Sequence, residues 1–150
     1  MMAQKSPRRP RISNYQESWV MYMTNRCNYN PYTLPTIDFV GGETQDLAFN
    51  LFFYKNKAPF STTGVSANFA IVSFTNRMGK PILTKPMEGT FNNEGTIDNV
   101  LTVTLEPSET VDLNGKFIYQ IQIRDIDGDV EIPKQGILYI TNNINKSFIR

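Results

Sequence analysis

The chain contains no histidine, a single cysteine and almost no net charge, with a formal value of +1 over 150 residues. Without histidine it lacks the commonest general base, the commonest zinc ligand, and any Ser-His-Asp or Cys-His arrangement. A lone Cys27 closes no disulfide and builds no thiolate metal site within one chain, so it reads as a small apolar residue. No apolar run approaches the roughly 18–20 residues of a membrane helix. The start, MMAQKSPRRPR, has no apolar core segment of the kind a signal peptide carries. The expectation is a soluble product of a reducing compartment, one that leaves a cell by lysis. Nothing points to an enzyme: a catalytic site would have to run on carboxylates, lysine or tyrosine alone, and no such constellation is visible. No cofactor is implied.

What is present is β-structure. Phe117, Tyr119, Ile121 and Ile123 alternate with Ile118, Gln120, Gln122 and Arg124, a period of two that fits a half-buried strand. Asp127-Gly128 follows as a two-residue hairpin signal of type I′, and Gly136 to Ile140 return. Upstream, Leu47, Phe49, Leu51 and Phe53 mark one strand face, and Leu101, Val103 and Leu105 mark another. Ala67 to Thr75 is a nearly continuous apolar run, as in a central strand covered on both faces. Pro81 to Lys85, bounded by Pro81 and Pro86, reads as an edge strand because proline cannot donate to a ladder. About seven strands, with turns every ~8–12 residues and no convincing helix, predict an all-β, two-sheet antiparallel sandwich.

Residues 1–36 differ from the body at 37–150. Lys5, Arg8, Arg9 and Arg11 form a basic tip without an acid, and Tyr15, Trp19, Tyr22, Tyr29 and Tyr32 crowd the stretch behind it. The tip admits three readings: contact with nucleic-acid phosphates, docking on an acidic protein surface, or a solvated tail. Near-zero net charge and the absence of a base-reading element weigh against nucleic acid. Trp19 to Thr24 fits a short strand, and Glu17 to Met23 fits a helical turn equally well. The aromatic stretch either wraps its own domain or forms an arm over a neighbouring subunit. Tyr, Trp and Arg are enriched at buried interface centres, and ~36 extended residues reach roughly 120 Å, which favours the intermolecular arm. The interface candidates are therefore Arg8, Arg9, Arg11, Tyr15, Trp19, Tyr22, Tyr29 and Tyr32.

Asp125, Asp127 and Asp129 place three carboxylates in one loop. Oxygen ligands so clustered suit Ca²⁺, but the spacing is not that of an EF-hand, and a solvated hairpin tip is the simpler reading. Asn114-Gly115-Lys116-Phe117 resembles a tyrosine corner in which phenylalanine replaces the phenol.

Gly42-Glu43-Thr44, the run Thr110 to Tyr119, and the closing Gly136-Ile137-Leu138-Tyr139-Ile140 together resemble immunoglobulin-like β-sandwich virion proteins of tailed bacteriophages. These are modules of the head-fibre, capsid-decoration or upper-baseplate type, including those of crAss-like phages. The likeness spans roughly residues 41–144 and departs at Phe117; the arm has no counterpart in it. It implies a non-enzymatic virion protein, assembled in the host cytoplasm. Its partners would be capsid, fibre or tail subunits and further copies of itself, with no nucleic acid or membrane contact. A tail adaptor and a receptor- or carbohydrate-binding module are the alternatives.

Overall fold

A computed structural model describes residues 18–23 and 33–149 of the chain. The strands are β1 (Ser18–Met23), β2 (Ile37–Val40), β3 (Gln45–Phe53), β4 (Ser66–Ser73), β5 (Leu83–Thr90), β6 (Val100–Leu105), β7 (Gly115–Arg124), β8 (Val130–Glu131) and β9 (Gly136–Thr141). One short helix, α1 (Pro107–Thr110), separates β6 from β7. Its start is written in the sequence: Pro107 at the first position, with Glu106 and Glu109 forming a reciprocal capping box.

Hydrogen bonding runs in the order β1-β3-β6-β5-β4-β7-β9-β2, with β8 on β7. β5 belongs to both halves of this path. Its first half pairs with β4, and Glu88 to Thr90 pair with β6. The path therefore folds at β5 into two layers, as where a strand switches sheets. One layer is β1-β3-β6 with the end of β5; the other is the start of β5 with β4, β7, β9 and β2. They face each other through Phe49 on β3 and Tyr119 on β7, whose ring centroids lie 6.4 Å apart. Phe69 on β4 stacks on Tyr119 at 5.6 Å. Leaving β1 aside, β3-β6-β5 against β4-β7-β9 reproduces the B-E-D and C-F-G sheets of an immunoglobulin sandwich. The body is thus an all-β, immunoglobulin-like sandwich.

Alternation explains which faces meet. Leu47, Phe49 and Leu51 of β3, Leu101, Val103 and Leu105 of β6, and Phe117, Tyr119, Ile121 and Ile123 of β7 all point inward and are buried. Each such side chain contributes about 1.5–3 kcal/mol when fully removed from water.

Three expectations are corrected and one is extended. β4 is central, but only Phe69 and Ile71 are buried on it, so one face is covered rather than two. β5 is an edge strand over its first half, where Leu83 to Met87 pair only with β4, but it runs on through Glu88 to Thr90 to join the other sheet. Pro86 is tolerated because it lies in the half paired only with β4, where its missing donor has an open flank. The hairpin tip is not a two-residue type I′ turn. The Gly128 N–H donates to Asp125 O at 3.0 Å, Asp125 N–H donates to Asp129 O at 2.9 Å, and only Gly128 has positive φ, at 90°. That is a type I turn closed by a glycine bulge. Finally, the pairing is not wholly antiparallel: β1 runs parallel to β3, and β2 parallel to β9. Parallel strands need a crossover, and here the crossover from β1 to β3 contains β2, which sits in the other sheet.

The loop before β4 is fastened to the start of β6. Thr63 and Ser61 donate their hydroxyls to the Asp98 carboxylate, and these bonds hold its pKa below the usual carboxylate range. A carboxyl lowered by folding adds stability above its unfolded pKa, and that stability is lost as pH falls through the folded value. Asp98→Asn is expected to flatten this acid dependence, read as the unfolding midpoint between about pH 5 and pH 2.

Candidate docking surfaces

The strand directions give the sandwich two ends. At one end lie the starts of β3, β5 and β7, the ends of β2, β4, β6 and β9, and the start of β1, where Ser18 sits level with Ala48. We call this the base. Its frame is the Gly41-Gly42 pair. Gly42 N–H donates to the buried Thr110 Oγ1 at 2.9 Å, and Asn143 Nδ2 donates to Gly41 O at 2.7 Å. β2, α1 and the C-terminal stretch are thereby joined at one point. A Cβ on Gly41 would lie 2.6 Å from the Thr110 carbonyl oxygen, and Gly42 has φ of +92°. Gly41→Ala is expected to cost about 1–3 kcal/mol, because the obstructing atom is backbone and cannot swing aside. Urea unfolding measures it.

On this rigid frame the protein exposes apolar side chains. Met78 is 96% exposed, Ile144 95% and Phe148 84%, the highest values among the exposed large hydrophobics described. Met78 lies in the β4–β5 connection, and Ile144 and Phe148 lie beyond β9. At the same end two cations lie against the half-buried ring of Phe74. The Arg77 guanidinium lies 4.2 Å and Lys116 Nζ 4.0 Å from the centroid of the Phe74 ring.

Of the eight interface candidates read from sequence, two fall within the described residues. Trp19 is half-buried, with its ring 5.5 Å from that of Phe49. Tyr22 lies on the outer face against Phe52 and Tyr54, at 6.5 and 5.9 Å, with Lys57 Nζ 4.8 Å from its ring. Arg8, Arg9, Arg11, Tyr15, Tyr29 and Tyr32 lie outside the described residues, as does Cys27. The stretch 18–23, read as part of an arm, is a strand of the body: Trp19, Met21 and Met23 share one face, and both methionines are buried against the core. The period of two in Trp19, Met21 and Met23 is the reason, since it matches a strand whose inner face continues that of β3. The β-body therefore starts N-terminal to residue 37.

At the opposite end, the tip, lies the β7–β8 turn. Asp125, Asp127 and Asp129 hold carboxylate oxygens within 4.8 Å of one another. Asp125 Oδ1 accepts the N–H groups of Asp127 and Asp129, both at 2.9 Å, so this carboxylate closes the turn. The phenol that sequence placed at no corner also has a task. Tyr119 donates to the Pro35 carbonyl at 2.5 Å and ties the approach to β2 onto β7. This is a different contact from a tyrosine corner, made two residues past Phe117. Among the described residues no helix is long and apolar enough to cross a membrane.

No family model matches the chain, and no curated protein matches it. Solved structures do. The N-terminal domain of phage TP901-1 ORF48 aligns at 8% identity over 83% of this chain and 98% of that one, with a TM-score of 0.46. CopC from Methylosinus trichosporium OB3b aligns at 13% identity over 73% and 88%, with a TM-score of 0.39. The fibronectin(III)-like modules of Clostridium thermocellum CbhA align at 8% identity over 77% and 93%, with a TM-score of 0.36.

Proposed function

We propose that this chain is a non-enzymatic structural protein of a tailed-phage virion, and that it docks on the particle surface by its base, as a head-fibre or capsid-decoration subunit. The observation that carries the docking role is the meeting of two features at that end. Met78, Ile144 and Phe148 are exposed there, and the chain enters β1 there from the segment bearing Arg8, Arg9, Arg11 and Tyr15. Large apolar side chains left bare at the same end as the chain's entry suit a surface that a partner covers. Arg77 and Lys116, at the same end, suit an acidic surface on the partner. The phage assignment rests on the sequence resemblance over residues 41–144. A tail adaptor would use the same end.

The test is incorporation into particles. Virions assembled with a chain lacking residues 1–17, or with Met78→Ser, Ile144→Ser and Phe148→Ser combined, are expected to carry at least about tenfold fewer copies by quantitative mass spectrometry, a loss of about 1.4 kcal/mol in docking or more. The isolated variants should keep their β-sheet circular dichroism. Full incorporation of both would overturn the reading.

A further inference from the structure

We infer that the tip of the sandwich is a self-association surface, at which the β7–β8 hairpins of two copies dock against each other about a two-fold axis. The inference concerns the end opposite the base and does not depend on the docking role.

A groove of about 260 Å³ opens on the outer face of β4 and β7, lined by Ser66, Asn68, Gln122, Arg124 and Val130. The register makes two rows of it, Ser66 opposite Arg124 and Asn68 opposite Gln122. The side chains of Ser66, Asn68 and Arg124 have no partner among the described residues. Gln122 is oriented by a relay: Gln135 Nε2 donates to Gln120 Oε1 at 2.7 Å, and Gln120 Nε2 donates to Gln122 Oε1 at 3.1 Å. Its oxygen is occupied and its NH₂ remains to donate. The groove thus offers one guanidinium, amide donors and the apolar wall of Val130, which is 52% exposed, with no carboxylate in its lining. It calls for an occupant that pairs an apolar side chain with an acid.

The hairpin itself presents that pair. Ile126 is 74% exposed, and next to it is Asp127, exposed and without a side-chain partner among the described residues. Donor groove and acidic knob lie side by side at the tip, so each copy can give and receive the same contact, the condition for an isologous interface. Ile126 of one copy fills the groove of the other, and Asp127 meets Arg124 in the bidentate geometry that arginine favours. The patch is small beside the roughly 1,200–2,000 Å² of a stable complex. The dimer is accordingly weak, with Kd in roughly the 0.1–1 mM range, and forms where copies are crowded.

Sedimentation equilibrium of the full chain at rising concentration tests this. The weight-average mass should rise with concentration and fall back with salt, because an exposed ion pair is screened. Arg124→Glu and Asp127→Arg should each weaken association at least about fivefold, and the double reversal should bring it back to within about twofold, since charge complementarity is then restored in the opposite sense. Ile126→Ser should weaken it without touching charge. All these side chains are exposed, and far-UV circular dichroism checks that the fold is kept. A wild-type chain that stays monomeric throughout, or a double reversal as weak as either single one, would overturn the inference.

Discussion

A chain shortened to begin at residue 24 is expected to lose at least about 5 kcal/mol of stability, the largest effect foreseen here. β1 supplies Met21 and Met23, both buried, and Trp19 packs on Phe49 at 5.5 Å. Deleting a buried methionine side chain costs about 2–5 kcal/mol, and the deletion removes both while opening the flank of β3. Small domains have about 5–15 kcal/mol in total. The shortened chain should therefore show a much lower urea midpoint or no cooperative transition, whereas one beginning at Ser18 keeps every described contact of β1. Equal midpoints for the chains starting at 18 and 24 would show that β1 adds nothing to the core.

The second large effect is at Tyr119. Its ring lies between Phe49 and Phe69, and its hydroxyl is bonded to Pro35 O. The fit is close enough that a Cβ on Gly136 would come within 2.6 Å of Tyr119 Cε1, and the backbone of β9 passes directly over the ring. Tyr119→Ala is expected to cost about 3–5 kcal/mol, as for other large aromatic truncations. Tyr119→Phe isolates the hydroxyl and is expected to cost about 1 kcal/mol. A phenylalanine variant as unstable as the alanine variant would mean that the bond to Pro35, rather than the packing, governs this position.

Most strands were legible because one-sided burial imposes a period of two. Leu47 to Phe53, Leu101 to Leu105 and Phe117 to Ile123 show it plainly, and each is a strand with that face inward. What escaped was long-range. Pro86 marks a one-sided strand correctly, because a missing donor is local information, while the sharing of β5 between two sheets depends on where β4 and β6 come to lie. The apolar run of Ala67 to Thr75 suggested two covered faces, yet among the described residues no second layer covers the outer face of β4. Asp127-Gly128 marks a turn, but the choice between two tight geometries was made by Asp125, which binds the N–H groups of residues 127 and 129. The helix α1 could have been found from Glu106-Pro107-Ser108-Glu109 alone. The aromatic wealth of residues 15–36 fits a wrap around its own domain as well as the favoured intermolecular arm. Composition cannot separate a ring that packs at home, such as Trp19, from one that serves a partner, and only the alternation with Met21 and Met23 divides the segment. The exposure of Met78, Ile144 and Phe148 was unreadable for the same reason: solvent access depends on the fold, not on residue type.

The direction of β1 also has a mechanical consequence. Ser18 lies toward the base and Met23 toward the tip, alongside β3 in register from Ala48 to Phe53. If the leading segment is the tether, pulling the body away from its anchor drags β1 lengthwise past its neighbour. The backbone bonds of that ladder then resist together, in shear, instead of parting one after another as a zipper would. A strand laid in this sense makes a strong attachment out of contacts that are individually weak.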